Sequence, residues 1–203
     1  MFGMKSAVLL KADTATEPAT VLLGGTTTDT VAEIQKMVGG NFDAVRRVAA
    51  DTAGKVNKFT LVGYVHDEGM ILNLPINPMA SMLFDQHIFG DCVLVNATNP
   101  ETQEDDGEDY DIPVQFADYL RESMFEEVQE SVMFTKLLAK SSMVALSAGV
   151  VTPDELERVS KWMLNEAESS IGGSLSDMPK ELSDILKRCL KHSMGLSDDD
   201  DIS

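Results

Sequence analysis

Cysteine is scarce in this 203-residue chain. The two present, Cys92 and Cys189, lie far apart and form no C-x-x-C pair. That argues against a disulfide scaffold or a cysteine-built zinc site and fits a reducing, cytoplasmic setting. Histidine is equally thin. His66, His87 and His192 offer no two ligands at metal spacing on one helix, and H-E-x-x-H does not occur. No metal and no cofactor are expected. There is no G-x-S-x-G, which removes the hydrolase elbow, and no G-K-[ST], which removes the Walker loop. No apolar run approaches the roughly 20 residues of a membrane span. The best candidate, Met143 to Val151, is far shorter. The segment from Met1 to Asp13 lacks a small-residue cleavage pattern and reads as a first strand rather than a secretory signal. No catalytic constellation emerges, so the chain reads as non-enzymatic.

Bases are outnumbered by acids, 16 to 34, for a formal net charge of -18. Like charge repels phosphate, so direct nucleic-acid binding is not expected. The surplus is uneven. Glu101 to Asp111 holds seven acids and no base, and Asp198 to Asp201 holds four more. Both stretches read as solvated linker and tail. An acidic protein can also imitate the phosphate ladder of DNA and inhibit a DNA-binding enzyme, but a rigid mimic needs carboxylates fixed on folded elements.

The first half is punctuated like a small α+β fold. KSAVLLKA, ATVLLGG, FDAVRRVA and KFTLVGYV read as strands, with DTAGKVNK as a loop. Val31, Ile34, Met37 and Val38 recur at helical spacing. Thr30 and Glu33 have capping-box spacing, and Gly39 and Gly40 stop the helix. The Glu68-Gly69 step predicts a turn with positive φ at Gly69. Asn77 is placed to cap a helix whose first position is Pro78. IFGDCVLVNAT closes this half as an apolar, central strand with Cys92 as an inert core thiol. The Gly- and Thr-rich LLGGTTTDT could cradle a phosphate at a helix N-terminus. The candidate small-ligand residues are therefore Thr26, Thr27, Thr28 and Asp29, with Asn73 and Asn77. His66 beside Asp67 and Glu68 could bind a metal or shuttle protons, although such a trio on a turn is more often solvated.

Val38-Gly39-Gly40, Glu68-Gly69, Leu74-Pro75-Ile76-Asn77 and the closing strand from Gly90 to Val95 occur in this order. Together they resemble an uncharacterised domain family common in phages and mobile elements, particularly of actinobacteria. The resemblance covers residues 1–97. It implies a phage-type context and no particular reaction.

The second half reads as three helices. The first opens at Asp111, buries Ala117, Leu120, Met124 and Val128, and is expected to break or bend near Ser141 and Ser142. The second is capped by Thr152 and Glu155 and buries Leu156, Val159, Met163 and Ala167, with Trp162 flanking. The third faces Leu182, Ile185, Leu186, Cys189 and Leu190 inward, with Lys187, Arg188 and Lys191 near its end. IGGSLSD is a loop between the last two. Methionine suits adaptable surfaces, so Met124, Met133, Met143, Trp162 and Met163 are candidate partner contacts. The expected plan is an α+β domain at 1–97, with a small mixed or antiparallel sheet and one or two helices. An acidic linker at 98–111, a helical region at 112–196 and an acidic tail at 197–203 follow. The leading functional reading is an accessory protein that binds a host or phage protein, with the C-terminal helices as a candidate surface for homo-oligomer formation. DNA mimicry and small-ligand or nucleotide binding are the alternatives.

Overall fold

A computed structural model of the chain describes residues 4–49, 58–169 and 178–197. The strand-like runs of the first half form five strands of a six-stranded antiparallel sheet, and the acidic segment after them supplies the sixth. Its strands are β1 (Lys5–Leu10), β2 (Ala19–Leu23), β3 (Phe42–Ala49), β4 (Phe59–His66), β5 (Cys92–Thr98) and β6 (Asp105–Tyr110). The order is β2-β1-β5-β4-β3, with β6 also paired to β5. The apolar closing strand is central, as its composition predicts, and every residue of β5 is buried.

Successive strand residues point to opposite faces, and both faces of β5 are covered. On one face Val93, Val95 and Ala97 join Ala7, Leu23 and Val62 beneath Ile34 and Val38 of α1 (Thr27–Val38). On the other, Gly63 and Cys92 meet Phe84 of α2 (Pro78–Phe84). There the ring of Phe59 also stands edge-on to Phe116 of α3 (Val114–Tyr119), with centroids 5.2 Å apart. Gly63 leaves room for the Phe84 ring, since a Cβ at that position would lie 2.5 Å from it. Burial also pushes the Cys92 thiol well above its usual range, which fits an inert core group.

Helix α1 begins a turn earlier than its sequence suggests. Thr26 is the N-cap, and its hydroxyl accepts from the Asp29 amide at 3.2 Å. Thr30 and Glu33 serve the strand before the helix instead. The Thr30 hydroxyl donates to the Gly24 carbonyl at 2.8 Å, and Glu33 accepts from the Gly24 amide at 2.5 Å. Gly39 ends the helix with φ of 88°, as a left-handed C-cap should.

The acidic segment is a second departure. Glu101 to Asp111, read from its charge as a solvated linker, instead supplies β6. Arg46 pairs with Asp105 at 2.6 Å, and the Tyr64 hydroxyl donates to both oxygens of Asp109 at 2.9 and 3.0 Å. Asp106 accepts from Asn99 and Tyr110 at 2.8 and 2.7 Å, while Asp111 accepts from the Ser6 amide at 2.5 Å. Most of these partners are remote in sequence, so local composition could not reveal them. Burial raises the Asp109 carboxyl above its ordinary range, opposed by the Tyr64 hydrogen bond and the charges of Lys5 and Arg46.

The chain divides into two compact units, Met1–Gln129 and Glu130–Ser203. The first therefore extends well past residue 97, because β6 and α3 complete its sheet and core. A π-helical turn, Leu120–Met124, leads from α3 into α4 (Phe125–Ser147). Of the expected break or bend near Ser141 and Ser142, a break does not occur, since α4 runs through both. The buried Ser141 hydroxyl bonds that of Ser193 at 2.8 Å rather than competing for the helix backbone.

In the second unit, α5 (Pro153–Ser169) and α6 (Lys180–Met194) share a core with α4. Leu138, Ala145, Val159, Leu182, Ile185, Leu186 and Cys189 are buried there. The Thr152–Glu155 capping box forms as read. Glu155 accepts from the Thr152 amide at 2.8 Å, and its own amide donates to Thr152 Oγ1 at 3.3 Å. Those bonds, then the Arg188 guanidinium at 2.5 Å, hold the Glu155 carboxyl below its ordinary range. The DTAGKVNK loop except Lys58, the IGGSLSD loop, the tail from Asp198 and the Ala167 side chain lie outside the described residues. Among the described residues no helix is long and apolar enough to cross a membrane.

Candidate binding site at the end of helix α1

Two glycines close α1, and each does a different job. Gly39 takes the left-handed conformation, and the amides of Gly39 and Gly40 both donate to Gln35 O at 3.0 Å. Gly40 makes room, because a Cβ there would sit 2.5 Å from Nε2 of His66. His66 ends β4 opposite Phe42 of β3, so the sheet register brings its ring to the helix end. The imidazole is held on its other side. Nδ1 accepts from the Glu68 amide at 3.1 Å, with Asp67 Oδ1 3.4 Å away. A ring that accepts at Nδ1 carries its neutral-state proton on Nε2.

The turn after β4 is a single helical turn closed by a Schellman motif. Leu74 N donates to Gly69 O at 3.0 Å and Asn73 N to Met70 O at 3.2 Å. The residue with positive φ is therefore Asn73, at 53°, and not Gly69. Gly69 is needed for space, since a Cβ there would lie 2.8 Å from the Phe89 carbonyl oxygen. This turn displays three consecutive apolar side chains to solvent: Met70, Ile71 and Leu72, exposed by 68%, 73% and 52%. Beside them opens a cavity of about 410 Å³. Gln35, Gly40 and Asn41 line it from the helix end, and His66, Asp67, Glu68 and Leu72 from the turn. The V-G-G and E-G motifs thus meet in space around one cavity.

The other two motifs form a clasp. Asn77 is fully buried. Its Oδ1 accepts from the Ala80 amide, and its Nδ2 donates to the carbonyls of Leu10 and Gly90, all at 3.1 Å. Every polar atom of that side chain is engaged within the fold. Asn77 is thus a cap and tie rather than a free ligand contact, and Asn73 is a turn residue. At the start of α1, Thr26, Thr27, Thr28 and Asp29 are exposed. Thr26 and Asp29 close on each other at 2.6 Å. The Asp29 carboxylate already occupies the end where a phosphate would bind, so charge opposes the nucleotide reading there. The cavity lies at the opposite end of the helix.

The proposed partner residues also separate. Met124 is buried in the first unit's core, and Trp162 and Met163 pack against the second unit's core. Helical spacing put them on the face that folding itself consumes. Met133 and Met143 remain exposed on α4, at 69% and 67%. Sequence reasoning missed Gln35, Gly40, Asn41 and the Met70–Leu72 trio. The available signal was an apolar triplet inside a run of turn residues, and a second glycine after the one that the C-cap required. Among the described residues no group of three His, Cys, Asp or Glu side chains is placed to hold a metal ion.

Taken together, the first unit is an α+β domain built on an antiparallel sheet, with an open polar cavity beside an exposed apolar turn. Residues 4–121 match the family described as Domain of unknown function (DUF3846), and the chain belongs to that family. No curated protein and no solved structure matches the chain.

Proposed function

We propose that this is a non-enzymatic, protein-binding accessory module that docks a partner on the Met70–Leu72 turn. The carrying observation is the exposure of three adjacent apolar side chains on a turn fixed by its own backbone hydrogen bonds. Exposed apolar groups clustered on a preformed element favour association, because burying each one against a partner contributes on the order of 1.5–3 kcal/mol. The phage-type character of the family resemblance makes a host or phage protein in the cytoplasm the natural partner. The test is capture from nuclease-treated bacterial lysate with the intact chain and with Ile71→Asp. A stoichiometric protein retained by the former and lost from the latter supports the reading. Equal retention by both contradicts it.

A second surface supports self-association through the C-terminal helices. Met133, Leu137 and Val144 lie along one face of α4, exposed by 69%, 46% and 41%. The expected outcome of Leu137→Glu is a shift from dimer to monomer in sedimentation velocity. A wild-type chain that is monomeric at high concentration removes this part.

The acidic hairpin supports DNA mimicry less well than its charge suggests. Asp105, Asp106, Asp109 and Asp111 are engaged with groups of the same chain.

A further inference from the structure

We infer that the cavity at the end of α1 is a pocket for one cationic side chain, a guanidinium or ammonium group on a peptide segment, with His66 donating from Nε2 to a carbonyl oxygen of the same segment. This rests on the protein-binding reading and names the chemistry that the partner brings. Three observations converge on it.

The walls are negative and uncompensated. Asp67 and Glu68 line the cavity. Among the described residues neither carboxylate pairs with a lysine or arginine, and Asp67 Oδ1 stands 3.4 Å from Nδ1 of the His66 ring. The C-terminal end of α1, where carbonyl dipoles point outward, adds to the same field.

The donor is preset. The His66 side chain is 8% exposed and its Nδ1 is taken by the Glu68 amide. Its Nε2 rests over Gly40, within the lining of the cavity, and has no hydrogen-bond partner among the described residues. No buried side-chain nitrogen or oxygen among the described residues is left without a partner, so Nε2 reaches solvent at the cavity, where a ligand carbonyl can take the place of water as its acceptor.

The third observation is the apolar wall. Leu72 lines the cavity, and Met70 and Ile71 precede it on the same turn. A long basic side chain has an aliphatic stem to lay on such a surface and a charged head to place between the carboxylates. An anionic ligand would meet the same carboxylates with the wrong sign.

The experiment is an NMR titration of the intact chain with N-acetyl-arginine amide, using N-acetyl-norleucine amide as the uncharged control. The expected result is a saturable shift of the His66 ring and of the Gln35 and Asn41 side-chain amides, weakened by salt and absent with the control. The double variant Asp67→Asn/Glu68→Gln binds about tenfold more weakly, since two exposed charge contacts are lost. Gly40→Ala puts a methyl where Nε2 sits and abolishes the ring response while the β-sheet resonances stay in place. No saturable shift, an equal response to the norleucine compound, or undiminished binding by the double variant overturns the assignment. If the arginine probe fails while Ile71→Asp still releases the captured partner, the pocket assignment alone falls. If the probe binds and Ile71→Asp changes nothing, the docking turn falls instead.

Discussion

Asn77→Ala is the substitution whose effect the structure specifies most fully. The side chain caps α2 through Ala80 and donates to the Leu10 and Gly90 carbonyls, tying β1 and the chain before β5 to the helix. Loss of an N-cap costs about 1 kcal/mol. Each carbonyl deprived of its donor in a buried site adds about 1 kcal/mol. The sum is about 3 kcal/mol, a shift of roughly 10 °C in the melting of the first unit. Urea unfolding followed by circular dichroism measures it, with amide exchange at Ala80 and Ile88 to locate the loss. Asn77→Asp keeps the acceptor but turns an oxygen toward two carbonyls. It should be at least as destabilised at neutral pH and recover in part when acid protonates the new carboxyl. A loss for Asn77→Ala below about 1 kcal/mol would refute the clasp, because a cap alone accounts for that much.

Gly63→Ala forces a methyl to within 2.5 Å of the Phe84 ring and 3.0 Å of Cys92 Sγ, so denaturant unfolding should show a loss of about 1–3 kcal/mol from overpacking. Thr152→Ala removes one half of a formed capping box and should cost the second unit about 1 kcal/mol. Asp109→Asn removes a carboxylate that burial disfavours. The folded-state pKa is raised, so the wild-type chain loses stability as pH climbs from the ordinary carboxylate range through that raised value. The variant does not lose it, and unfolding across the acid range should show it more stable above that window, with the gap closing below it. A gap that does not change with pH would contradict this.

Much of the fold was legible because its signals are local. Gly39 as a C-cap, Asn77-Pro78 as a helix start and Thr152–Glu155 as a capping box each depend on residues within a few positions of one another. β5 showed itself as central because its residues, Asn96 and Thr98 apart, are apolar enough to be buried on both faces. The acidic hairpin was illegible because charge was counted without its partners. Arg46 and Tyr64 neutralise or bond Asp105 and Asp109 from β3 and β4, and only the fold brings them there. The candidate site was half legible. The His66-Asp67-Glu68 run drew notice, yet its meaning depends on Gly40 and the end of α1, which approach only through the β3–β4 register. Met124, Trp162 and Met163 show the converse error, since helical periodicity alone does not separate a core face from a docking face.

The central claim is that the Met70–Leu72 turn is where a partner docks. A photo-crosslinking amino acid placed at position 71 tests it most directly, with the same group at exposed Leu22 (59% accessible) on the edge strand as control. The account predicts one dominant crosslinked protein from position 71, competed by unlabelled wild-type chain, and none from position 22. No competed crosslink at 71, or the same product from both positions, would contradict it.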